Sequence, residues 1–108
     1  MMVKIVLSLS LLLTSITAMS APSESQFELA LSEIKAEEVV FDASWSKGVP
    51  PLLIARVFDN GSPRNGYAGY LCMIMAEHAI NAVIVSVVDV VSKDHDELGR
   101  ADCSQLKR

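Results

Sequence analysis

Residues 82–91 read AVIVSVVDVV, a run in which almost every side chain is β-branched. Such residues lose χ1 freedom in a helix and pack well on a pleated surface, so the run reads as a strand. Apolar side chains fall on both of its faces, which is the pattern of a strand in the middle of a sheet. The remainder of the chain must therefore supply neighbouring strands and a layer to cover them.

Residues 52–58 provide a second strand, rich in branched side chains from Leu52 to Phe58 and expected to be buried on both faces. Between the two strands lies the strongest turn signal in the chain, Asp59-Asn60-Gly61-Ser62-Pro63-Arg64. Ser62 followed by Pro63 suits an N-cap with proline at the first helical position. A helix is expected from there to about residue 79, carrying Tyr67, Tyr70, Leu71, Ile74 and Met75, with Asn81 as its stop. Gly66 and Gly69 weaken it by about 1 kcal/mol each relative to alanine, and are expected to let it lie close to the sheet. Strand, helix and strand over residues 52–91, from Leu52 to Val91, make a right-handed βαβ unit.

The flanks are read in the same way. Ser25-x-x-Glu28 matches a capping box, and Phe27, Leu31 and Ile34 follow at helical spacing, so a helix is expected over residues 26–37. From Val39 the period changes to two: Val39, Phe41, Ala43 and Trp45 alternate with polar or outward positions, giving a half-buried strand over residues 39–45. The paired prolines Pro50 and Pro51 break it, since proline cannot donate to a ladder. Asp94-x-x-Glu97 is expected to cap a last short helix, with Leu98 and Ala101 inward and Cys103 near its end. Residues 104–108 are expected to be loose. The expectation is a small two-layer α+β domain of about three strands with two or three helices.

The N-terminal twenty residues are set apart from this domain. Lys4 supplies a basic start, residues 5–16 are apolar, and Ala18 and Ser20 are small side chains at the −3 and −1 positions of a cleavage site. That is the pattern of a cleavable signal peptide over residues 1–20, too short and too rich in Ser and Thr for a lasting membrane anchor. It implies a periplasmic or extracellular location for a single domain over residues 21–108. Loss of Lys4 leaves 8 basic against 13 acidic side chains, a net charge of −5. An acidic domain without a basic stripe argues against nucleic acid as a partner.

Both cysteines, Cys72 and Cys103, lie beyond the leader, and in an oxidising compartment two cysteines form one disulfide. Closing about 30 residues stabilises a fold by roughly 3–4 kcal/mol on the chain-entropy model. The same bond removes both thiols as potential nucleophiles.

Motifs for chemistry are scarce. Met75 and His78 share a helix face, but Met73 points away, leaving too few soft ligands for a metal. The group Asp94, His95, Asp96 and Glu97 lacks the glycine and the terminal glutamate of a calcium loop, and acids at a helix start are already accounted for by the dipole. No Gly-x-Ser-x-Gly elbow is present. The expectation is a non-catalytic protein without a cofactor that binds another macromolecule, such as an inhibitor, an immunity protein or an envelope accessory protein. The alternative is a metal or small-ligand binder using His78, Met75 or residues 94–97. Aromatic and arginine side chains are the usual interface anchors, so Arg64, Asn65, Tyr67 and Tyr70, with Trp45, are the candidate contacts to a protein partner.

Overall fold

The computed structural model describes residues 22–106, so the leader expected over residues 1–20 lies outside the described residues. Within them the order is α1 (Glu24–Lys35), β1 (Asp42–Ser46), β2 (Leu52–Val57), α2 (Asn65–Glu77), β3 (Ile84–Asp89) and β4 (Glu97–Asp102), followed by a 3₁₀ turn at Cys103–Gln105. The strands form one sheet in the order β1-β2-β3-β4. The outer pairs β1–β2 and β3–β4 are antiparallel, and the central pair β2–β3 is parallel. The α+β class, the βαβ unit around α2 and the central position of β3 all agree with the sequence.

The fourth strand corrects the expected last helix. Residues 97–102 pair with β3, with a bulge between Val87 and Val88. The acid spacing that resembles a helix cap does other work here: Glu97 turns onto the sheet, where it accepts from Ser86 and Arg100. A non-local ladder has overridden a weak local signal. Gly99 shows why, because a Cβ there would lie 2.5 Å from the amide nitrogen of Asn65 and closer still to the Arg64 carbonyl group. Only glycine lets the loop before α2 cross this strand.

Both helices cover the same face of the sheet. Ala30 and Ile34 of α1 and Ala68, Leu71, Cys72, Ile74 and Met75 of α2 join Ala43, Leu53, Ala55, Val57, Val85 and Val87 in one core. On β2 the alternation is clean, with Leu53, Ala55 and Val57 buried and Leu52, Ile54 and Arg56 only half-buried. The strand is thus not buried on both faces as expected, since the described residues place no helix on its other side. That open face is partly roofed by its own long polar side chains. Arg56 donates to Ser44 at 3.2 Å, and Arg100 reaches Glu97 at 3.0 Å.

Helix ends differ from the sequence reading by identifiable bonds. The capping box of α1 uses Ser23 and Gln26, two residues before the expected pair. At α2 the first helical residue is Asn65 and the N-cap is Arg64, which has no side-chain cap. Ser62 is bound instead to Asn60 in the preceding turn. The stop comes before Asn81: Ala79 takes φ of 62°, and the amides of Ala79 and Ile80 donate to the carbonyls of Ala76 and Met75. This is a Schellman closure, with buried Ile80 and Met75 as its apolar partners.

The disulfide Cys72–Cys103 is formed, with 5.2 Å between the Cα atoms, and no free cysteine remains among the described residues. It ties the middle of α2 to the chain just after β4. Gly66 and Gly69 are not the close-approach points expected of them. Neither has any atom within 4 Å of its would-be Cβ, so both look outward.

Candidate functional site

The five candidate contact residues separate into three settings. Arg64 and Asn65 serve the sheet edge. The Arg64 amide donates to the Leu98 carbonyl at 2.9 Å, and the Asn65 side-chain oxygen accepts from the Arg100 amide at 2.9 Å. An edge strand carries a row of unpaired backbone groups that templates unwanted pairing, and these two residues satisfy part of that row on β4. The Arg64 guanidinium also donates to the Phe58 carbonyl at 3.1 Å.

Tyr67 and Tyr70 occupy one flank of α2, and both hydroxyls donate to the Glu37 carboxylate, at 3.3 and 3.1 Å. Burial, then the charge and hydrogen bond of Glu37, push the Tyr67 phenol well above its ordinary value. For Tyr70 the Glu37 hydrogen bond is the main cause of an upward shift, with the charges of Glu37, Glu33 and Glu77 adding to it. The tyrosines thus stand in an acidic setting and hold their protons at neutral pH.

The outer side of α2 continues from Tyr70. A groove of about 550 Å³ is lined by Gly66, Gly69, Tyr70, Met73, Leu106 and the disulfide. Tyr70, Met73 and Leu106 are 43%, 61% and 40% exposed. The helix carries no charged side chain from Asn65 to Ala76, although only its inner side is covered.

Trp45 lies elsewhere. It stands on β1, one edge of the sheet, paired with Leu53 of β2, whereas Arg64 and Asn65 sit against β4, the opposite edge. Its ring meets Phe27 of α1 edge-on at 4.7 Å, and its indole N–H donates to the Phe27 carbonyl at 3.4 Å. Phe27, Trp45, Pro22, Pro51, Glu24, Glu28 and the hairpin residues Ser46, Lys47 and Gly48 enclose a depression of about 420 Å³. A second depression of about 450 Å³ shares Pro22, Phe27 and Pro51 and runs on past Ile80 to Val83. The sequence concealed this arrangement because Phe27 and Trp45 are separated by 18 positions and meet only through the α1–β1 packing. The one local signal was the spacing of Glu24, Phe27 and Glu28, which share a helix face.

The candidate metal ligands do not converge. Met75 is fully buried in the core, while His78 bonds Glu33 at 2.8 Å. Residues 94–96 lie in the β3–β4 connection, with His95 at φ of 53°. Glu97 is committed to the open face of the sheet. Partial burial alone would raise its pKa, but the Ser86 and Arg100 hydrogen bonds and the Arg100 charge hold it below the usual carboxylate range. Among the described residues no three His, Cys, Asp or Glu side chains gather as a metal site. Compared with protein families, curated proteins and solved structures, the chain finds no match.

Proposed function

We propose that this chain is an exported, non-catalytic protein that binds another protein through the outer side of α2. The observation that carries this reading is the uncharged, exposed flank of that helix. A helix on a protein surface ordinarily carries charged side chains away from the core, and one that is apolar all round is ordinarily buried. Here Tyr70, Met73 and Leu106 stand exposed around an open groove. Aromatic and methionine side chains are enriched at interface centres, and the disulfide beneath them keeps the surface rigid, which lowers the ordering cost of association.

Charge narrows the partner. Glu33, Glu37 and Glu77 all act on Tyr70, so carboxylates stand on the Tyr70 side of the groove. A partner with an apolar centre and a basic rim complements it, whereas a second copy would bring identical carboxylates together. Export is supported by the closed disulfide, a bond that persists in oxidising compartments, and by the leader pattern of the sequence.

The test is a photo-cross-linking amino acid placed at Met73 in the native compartment, with the same probe at exposed Asp59 as a control. A discrete protein product at position 73, absent at 59 and lost on Gly69→Arg, is the expected result. Nothing contacts a Cβ at Gly69, so that substitution fills the groove without touching the core. No product at 73, or equal products at both positions, would overturn the reading.

A further inference from the structure

We propose that the trough beside Trp45 is a second binding site, taking an arginine side chain from an extended peptide segment. This inference is independent of the α2 surface, because none of the residues lining the two depressions at this end belongs to that groove.

The argument begins with the α1 helix. Glu24 precedes Phe27 by three positions and Glu28 by four, so it stands next to both on one stripe of the helix, with the two carboxylates on the same side of the phenylalanine. That stripe faces the cavity whose other wall is Trp45 and the hairpin residues Ser46, Lys47 and Gly48. An aromatic pair with two carboxylates at its lip is the composition that receives a cation: the ring faces attract it and the carboxylates neutralise it. Neither Glu24 nor Glu28 makes an ion pair among the described residues. Lys47 on the opposite lip supplies one positive charge against these two negative ones.

The chemistry favours arginine over lysine. A guanidinium is planar, stacks on an indole and bonds carboxylates in a fork, and it is less strongly hydrated than an ammonium. The shape favours a chain over a free small amine. The cavity is open, and a second depression beside Ile80 and Val83 adjoins it, sharing Pro22, Phe27 and Pro51 as lining. An apolar trough of that kind accommodates residues on either side of the arginine, in the extended form that aromatic- and proline-lined grooves recognise.

Trp45 is the single tryptophan of the chain, so its emission reports the site directly. The mature protein is titrated with an acetylated, amidated Pro-Pro-Arg-Pro-Pro peptide, with its glutamate counterpart, and with argininamide alone. The expected result is a saturable change in emission with the arginine peptide, weaker binding of argininamide and none of the glutamate peptide. The double variant Glu24→Gln, Glu28→Gln should weaken the arginine peptide about tenfold, and added salt should weaken it in the wild type. Both substitutions are at exposed positions, and an unchanged far-ultraviolet circular dichroism spectrum confirms the fold. No saturable change, equal binding of the glutamate peptide, or an unaffected double variant would overturn the cation site. Argininamide binding as tightly as the peptide would overturn the extended-segment assignment.

Discussion

Gly99 is the position at which a single methyl group matters most. Its Cβ would fall inside the backbone of Arg64 and Asn65, and that backbone is held by bonds to the two neighbours of Gly99 on β4, Leu98 and Arg100. The loop cannot withdraw without giving up those bonds. Gly99→Ala is therefore expected to cost about 2–3 kcal/mol, read as a lower midpoint in urea unfolding. A loss under about 0.5 kcal/mol would show that the loop relaxes freely. Tyr67 carries the clearest pH dependence. An unfolded tyrosine ionises near pH 10, whereas burial and the Glu37 carboxylate raise the folded value above that. The stability linked to Tyr67 is thus intact below about pH 10 and is lost as the pH rises through the folded value, because the unfolded chain releases its proton first. Tyr67→Phe should lose less stability than the wild type between about pH 9 and about pH 11. Parallel losses in the two proteins would refute the assignment.

At the scale of elements, the instructive contrast is between β3 and β4. The β-branched run around Ile84–Asp89 declares itself, because no helix tolerates it easily and its apolar faces require a central position. The run of β4, ELGRAD, has no such signature, and its acids mimic a helix start. It becomes a strand because β3 offers an unpaired edge and Gly99 admits the crossing loop, both facts of tertiary structure. The same limit applied to the contact residues. Tyr70 was legible as a candidate contact by its residue type, but its exposure, like the pairing of Trp45 with Phe27, depends on where the helices land, and the edge-covering bonds of Arg64 and Asn65 depend on a strand the sequence did not reveal. Those bonds can be tested one amide at a time. Asn65→Ala removes the acceptor of the Arg100 amide and should cost about 1 kcal/mol. Hydrogen exchange should accelerate at Arg100, while Cys103, whose amide donates across the ladder to Val83, stays protected. Equal acceleration at both would mean that β4 opens as a unit.

For the whole molecule the disulfide decides how much of the domain survives as one cooperative unit. A domain this small buries a modest share of its unfolded surface, and its total stability is expected to be only about 5–15 kcal/mol. The bond spans 31 positions and joins α2 to the end of the last strand, so it encloses the second half of the βαβ unit and the β3–β4 pair. It also fixes one wall of the α2 groove, which links stability to the proposed binding surface. Loop-closure entropy over that length predicts that reduction lowers stability by roughly 3–4 kcal/mol. Urea unfolding followed by Trp45 emission, with the thiols either oxidised or reduced and alkylated, measures this directly. The reduced protein should show a lower midpoint and a steeper dependence on urea, because its unfolded chain is free to expand. Both sulfurs belong to buried residues, so thiols should be released slowly from the native protein and faster as urea approaches the midpoint. Coincident midpoints would show that the α2–β4 packing holds without the bond, and that the disulfide serves the groove rather than the fold.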